Sequence, residues 1–408
     1  VKNQFAAFLL IFAVATISLA LPQPLHAAIV VDPDSTGATD VTPADPCTWT
    51  SDTGAYIGEW SYGSLLVDGS SGLLSGSCRI GSARYLTGIV TVDGAGSSWT
   101  NDGYLCVGVD WKGILAITNG GAVVCGGYSY ISRNYYSTGS VTVDGVGSSW
   151  TNSGDLEVGH RGDATLVITN GGAVSNANGF ISRYHSSSSG VTVDGTGSSW
   201  TNSGNLEIGY YGYGSLDITN GGAVSVDGST WVGRGYRSSI NFGAAGGTLT
   251  TGGLVFSPAQ LTGTGTINTH SLLSDLDLVF DATHGLSQII NVNQQGQDIT
   301  INLDAGGASS LTDIFGAGYA ATGTLSIRDG VAISSSKGYI GYKSGSNGSV
   351  TVDGAGSSWE NNGNLYVGLS GDGTLAITGG GLVSNGDGFI GNSTTGSVRC
   401  PHFLVQGL

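Results

Sequence analysis

Short runs of alternating apolar and polar residues fill this chain, as in VTV, LEIG, SLDIT and AVS, and Asp-Gly, Asn-Gly or Gly-Gly pairs interrupt them. Alternation at period two, rich in Val, Ile and Thr, predicts short strands buried on one side and joined by tight corners. Beyond the N-terminal apolar run, no window of helical length holds apolar positions at i, i+3, i+4 and i+7. Helical repeats are therefore excluded and an all-β chain is expected.

The alternation is itself periodic. The stretch Gly190 to Gly228, GVTVDGTGSSWTNSGNLEIGYYGYGSLDITNGGAVSVDG, sets the pattern, and its VDGxGSSW part returns at Asp93 to Trp99, Asp144 to Trp150 and Asp353 to Trp359. Laying GVTVDGTGSSW over GSLDITNGGAV, with one residue dropped in the turn, divides each unit into two halves of about 25 residues. The match gives one row along the chain: Trp49, Leu73, Trp99, Val123, Trp150, Val174, Trp200, Val224 and, after a gap, Ile333, Trp359 and Val383. All are apolar, and steps of 24 to 27 residues suit one turn of a solenoid that returns one strand spacing higher. The expected fold is a right-handed parallel β-helix of about fourteen coils, each of about 25 residues. A β-propeller also repeats at about fifty residues, but a four-stranded antiparallel blade gives no reason for residues 25 apart to be interchangeable.

Taken in order, residues 1–27 join a lone Lys2 to an apolar run and a Leu25-His26-Ala27 ending, the layout of a secretory signal peptide. Residues 28–46 have no repeat match and are expected to form a linker or cap. Regular repeats follow over 47–233. An irregular segment, 234–322, keeps strand-like stretches and loses the Trp motif; because the row resumes in phase, coils with longer loops are expected there in preference to an inserted domain. Repeats return over 323–398. At 399–408 Arg399-Cys400-Pro401 stands where another VTVDG is due, so the tail is expected to be aberrant or truncated.

Composition changes the picture in one respect. The 408 residues include 72 Gly, 29 acidic and only 13 basic residues, for a formal charge of −16. Nucleic acid and anionic membrane surfaces are poor partners for such a chain, and the mature part has no membrane span.

The motif VDGxGSSWTNSGxLxVG followed by GxLxITNGGAV, around Trp99, Trp150, Trp200 and Trp359, resembles the repeat of autotransporter passenger regions and PEP-CTERM surface proteins. The likeness covers most of Cys47 to Val398, and LVFDATHGL, Leu278 to Leu286, is similar to their spacers. It implies an exported, cell-surface or matrix rod with no catalytic residues to carry over. Neither an outer-membrane barrel nor a Pro-Glu-Pro sorting tail is read in the sequence. The expected function is adhesive or structural, with extracellular polysaccharide or other surface proteins as partners and no cofactor.

Candidate chemistry is sparse. Asp93, Asp144, Asp194 and Asp353 share one repeat position and could line a calcium column, but they recur every second coil, about 10 Å apart, which is too far to share an ion. Corner chemistry, each side chain bonding its own turn, is the expected role, and no metal site is assigned. The row Trp49, Trp99, Trp150, Trp200 and Trp359 is expected in the core. Glycan-binding candidates lie in the loops after the Ile-Ser or Ile-Gly corners: Tyr135, Tyr136, Tyr184, His185, Tyr210, Tyr211 and Tyr213, with Arg133 and Arg183 nearby. Asp275, Asp277, Asp281 and His284 are the one dense titratable cluster, a weak candidate for lyase or hydrolase chemistry; Asp275 and Asp277 also fit the solvent face of a strand. Cys47, Cys78, Cys106, Cys125 and Cys400 lack metal spacing, and staples between coils or free thiols are both open.

Overall fold

The computed structural model describes residues 28–31, 40–185, 187–233, 238–307, 314–391, 398–401 and 404–406. The apolar leader at 1–27 and part of the 28–46 segment lie outside them. The fold is an all-β parallel solenoid with coils of about 25 residues, and it makes about 13 turns against the fourteen expected. No α-helix occurs among the described residues.

Each regular coil uses its residues in the same way. A seven-residue strand such as Thr87–Asp93 is followed by a four-residue strand, Ser98–Asn101, and a three-residue strand, Leu105–Val107. The next coil repeats them as Lys112–Thr118, Ala122–Cys125 and Ser129–Ile131. Equivalent strands pair in parallel, with Leu115 between Val90 and Val141. Three ladders therefore run along the solenoid, and we call them the first, second and third faces.

The apolar row is one line of rungs on the second face. Leu73 pairs with Trp99, Trp99 with Val123, Val123 with Trp150, and so on through Val174, Trp200 and Val224. Where the sequence loses the row it passes through Leu249, Ile267 and Ile301. Beyond that, Ile333, Trp359 and Val383 pair in turn. Trp99, Trp150, Trp200 and Trp359 are fully buried. At 150–250 Å² per indole each contributes roughly 5 kcal/mol of transfer free energy. Trp49 precedes the ladder, after the short 3-10 turn Pro46–Thr48, and its indole donates to the Pro43 carbonyl at 3.1 Å.

Hydrogen bonds between coils explain why the sequence repeats every fifty residues when the backbone repeats every 25. Asp93 Oδ1 accepts from the Thr118 hydroxyl at 2.5 Å and the Asn119 amide at 2.7 Å, both in the next coil. Asp144 does the same with Thr169 and Asn170, Asp194 with Thr219 and Asn220, and Asp353 with Thr378. This corrects the corner reading, since the carboxylate holds its neighbour coil and not its own turn. Asn119, Asn170 and Asn220 have φ of 54°, 53° and 52°. Asn tolerates that left-handed conformation better than most residues, which places both the corner and the donor.

The alternate interface is held by tryptophan. Trp99 Nε1 donates back to Ser75 Oγ at 2.9 Å, Trp200 Nε1 to Asn176 Oδ1 at 2.7 Å and Trp359 Nε1 to Ser335 Oγ at 3.1 Å. At the equivalent step Cys125 stands in the acceptor position, and the buried Trp150 Nε1 meets only its weakly accepting sulfur, with no hydrogen bond of normal geometry. Aspartate and tryptophan thus join successive interfaces in turn, and two halves with different side chains are needed to build them.

The irregular segment contains coils and one addition. Thr248–Phe256 and Leu261–Ser274 stack in parallel on the regular coils, and the third face continues from Leu273 to Gly316 and from Ala317 to Ile340. Between them Ser287–Val292 folds back antiparallel on Gln297–Asp304, which itself lies parallel on Leu261–Ser274. Antiparallel strands also lie on the outer coils. Ala28–Val31 pairs with Gly63–Asp68 and Val41–Thr42 with Ala55–Ile57. Val398–Pro401 pairs with Asp387–Ile390, and Leu404–Gln406 with Leu382–Asn385. Such pairing occupies edges that would otherwise template association.

Candidate functional site

The third face carries the chemistry. Its strands read L-E-V, L-E-I, G-F-I or S-Y-I, and the outer residues point into the core, so the middle residue faces away from it. Register places these middle residues in one file: Tyr56, Arg79, Cys106, Tyr130, Glu157, Phe180 and Glu207 in successive coils. Trp231 follows, and Tyr339, Tyr366 and Phe389 occupy the same file farther along. The last three rings are stacked, with centroids 5.1 Å and 4.8 Å apart. Sequence reasoning missed this file; its signal was the variable residue inside L-x-V-G.

Beside the file run the loops that lead back to the first face, and they hold most of the tyrosine candidates. Tyr135, Tyr136, His185 and Tyr211 are exposed, while Tyr184 and Tyr210 are half-buried. Tyr213 instead begins the first-face strand Tyr213–Thr219. Gly113, second in the strand Lys112–Thr118, lies directly against a returning loop, where a Cβ would collide with Gly108 N. A side chain there would push the loop away from the file.

Rings and guanidinium groups connect file and loops. Arg79 lies over Tyr56 and Tyr104, at 5.3 and 5.4 Å, and Arg133 over Tyr104 and Tyr130, at 6.0 and 5.3 Å. His160 then packs edge-on to Tyr130 and Tyr184. Arg161 covers Tyr135 and Tyr184, and Arg183 covers Phe180 at 4.3 Å. Farther on His185 meets Tyr211, which meets Tyr210. A cleft of about 280 Å³ opens here, lined by Phe180, Arg183, Tyr184, Glu207, Tyr210 and Tyr211.

Buried charge fixes the cleft floor. Glu157 is 3% exposed, accepts from Arg183 and shares a 2.5 Å hydrogen bond with His160 Nδ1. Burial works against the Arg183 charge, and Glu157 more than restores it, so the guanidinium stays charged. This pair holds Arg183 over the Phe180 ring.

The carboxylates of the middle segment are spent differently. Asp281 Oδ1 accepts from the Thr283 and His284 amides and meets His284 Nδ1 at 2.7 Å, while Oδ2 takes both Nε and Nη2 of Arg328. The His284 amide and the Arg328 guanidinium hold Asp281 well below the usual carboxylate range. Asp275 Oδ1 caps the Ala320 and Ala321 amides, and Asp277 Oδ1 accepts from the Thr324 hydroxyl. The structure therefore brings Asp281 and His284 together, and it directs Asp275 and Asp277 to separate partners in the following coil.

Cys47, Cys78, Cys106 and Cys125 are free thiols, and the Cys400 side chain lies outside the described residues. Cys78 and Cys125 belong to the core, whereas Cys106 sits in the outward file beneath Arg133. Burial pushes the Cys106 and Cys125 thiols up to about 11. Among the described residues no three His, Cys, Asp or Glu side chains are placed to hold a metal ion together. Comparison of the chain with protein-family models, with curated proteins and with solved structures finds no match.

Proposed function

We propose that the chain is an exported, non-catalytic adhesive rod that holds an extracellular polysaccharide along its third face. The observation that carries this reading is the group of rings and guanidinium groups from Tyr56 to Tyr211 beside the cleft at Phe180, Arg183, Tyr184 and Glu207. Sugar rings present apolar C–H faces that stack on aromatic surfaces, and their hydroxyls suit arginine and carboxylate side chains. A surface that repeats once per coil also suits a polymer that repeats along its length.

Catalysis is the weaker reading, because Asp275, Asp277 and Asp281 already serve as acceptors in joining coils. The likeness of the VDGxGSSW repeat to autotransporter passenger and PEP-CTERM surface proteins supports a place at the cell surface, with export through the 1–27 leader.

The test is a glycan-array measurement on the chain from Ala28, beside a variant with Tyr135, Tyr136, Tyr184 and Tyr211 changed to Ser. Binding that is lost in the variant, with no product released, is expected. Absence of binding to every glycan would leave a structural rod without this ligand class, and product release would return attention to Asp281 and His284.

A further inference from the structure

We infer that the polysaccharide is anionic and is held by Arg79, Arg84, Arg133 and Arg161. This rests on the glycan-binding reading and adds the chemical class of the ligand.

The inference starts from where the positive charge is. In a chain of net charge −16 the basic residues are few, yet Arg79, Arg84, Arg133, Arg161 and Arg183 all stand on the third face or its loops. Arg328, the sixth arginine whose side chain is described, is held by Asp281 elsewhere. Of the five, only Arg183 has a carboxylate partner among the described residues. The acidic side chains of nearby loops are engaged otherwise: Asp110 accepts from the Asn134 amide and Asp163 from the Ser188 backbone. Four guanidinium groups without ion pairs, gathered on one face of an acidic protein, lack a counter-charge that an anionic ligand would supply.

Their geometry suits that role. Arg79, Arg84, Arg133 and Arg161 each lie over a tyrosine ring, with Arg84 5.8 Å from Tyr85. A guanidinium over a ring has N–H groups left for a second partner, even at Arg79 where Nη1 donates to the Tyr56 hydroxyl, and such a fork fits a carboxylate or sulfate. Tyrosine and arginine together therefore offer a stacking surface and an anion site in one unit.

Spacing separates polysaccharide from nucleic acid. Arg79 and Arg84 belong to one coil, Arg133 to the second coil after it and Arg161 to the third. Two coils rise about 10 Å at one strand spacing per coil. Single-stranded nucleic acid carries a charge every ~3.4 Å and duplex DNA one per ~1.7 Å, so most phosphates would face an acidic rod without a cation. A uronate-bearing polysaccharide has a sparser charge, closer to four cations spread over these coils.

The test compares polysaccharides with their own neutral forms. Binding of hyaluronan, alginate and polygalacturonate to the chain from Ala28 is measured by biolayer interferometry, each beside its methyl ester and beside single-stranded DNA. Hyaluronan is expected to bind at least tenfold more tightly than its ester, with affinity falling as salt rises. Arg133→Gln, at a half-buried position, and Arg161→Gln, at an exposed one, should each weaken it roughly fivefold while leaving circular dichroism unchanged. Equal binding of acid and ester would overturn the anionic assignment and leave glycan binding standing. Failure of every polysaccharide, acid and ester alike, would remove both, and tighter binding of DNA than of hyaluronan would overturn the ligand class.

Discussion

Cys125 occupies a position where Ser75, Asn176 and Ser335 accept the indole N–H of the next coil's tryptophan, so Cys125→Ser should strengthen the solenoid. The magnitude follows from the neighbours. Ser75 Oγ accepts from Trp99 and donates to Asn101 Oδ1 at 2.9 Å, and Ser335 does the same between Trp359 and Asn361. A serine at 125 would find Trp150 in the same relation and Asn152 Oδ1 with one lone pair left beside the hydroxyl of Ser129. Burying a hydroxyl without partners costs about 1–3 kcal/mol. Two hydrogen bonds of about 1 kcal/mol net each, replacing one weak indole contact to sulfur, leave a gain of about 1 kcal/mol. Cys125→Ala removes the sulfur without adding an acceptor and should destabilise.

The assay is urea unfolding followed by both circular dichroism and tryptophan fluorescence, because a repeat array can unfold in parts. A double-mutant cycle with Trp150→Phe isolates the contact, with an expected coupling of about 1–2 kcal/mol. A serine gain that persists in the Trp150→Phe background, or a loss equal to that of Cys125→Ala, would refute the account of the tryptophan-held interface.

Three further outcomes follow from the same contacts. Asp194→Ala strands the Thr219 hydroxyl and the Asn220 amide and should cost about 1–2 kcal/mol in urea unfolding, whereas Asp194→Asn keeps an acceptor and should cost less. Asp281 is held below its ordinary pKa, so its contribution is present above about pH 4 and is lost as pH falls through the folded value; Asp281→Asn should flatten the loss of stability on acidification. In iodoacetamide mapping by mass spectrometry, exposed Cys47 should react in the folded chain, and Cys78, Cys106 and Cys125 only after unfolding.

Much of this architecture was legible because each coil repeats its neighbour. The apolar row from Leu73 to Val224 could be written from matched residues alone, and the register pairs those same residues. Through 234–322 the row could not be followed, because Leu249, Ile267 and Ile301 carry no motif around them and are identified only by what they stack on. The Ser287–Val292 hairpin was illegible for a related reason. An antiparallel strand has the same alternation as a parallel one, and only its partner reveals its direction.

The site divides in the same way. Tyr135, Tyr136, Tyr184 and Tyr211 are conspicuous as aromatic residues in Gly- and Ser-rich loops. Tyr130, Glu157, Phe180 and Glu207 are hidden inside short strands, where each looks like an ordinary alternating position. The sequence by itself determined the strand period, the coil length and the inward row, because these depend on local chemistry repeated many times. Which residues share the outward file, where four arginines lack a carboxylate, and why the motif alternates were decided only by the tertiary structure. Those properties belong to contacts between coils, which join residues that lie 20 or more positions apart in the chain.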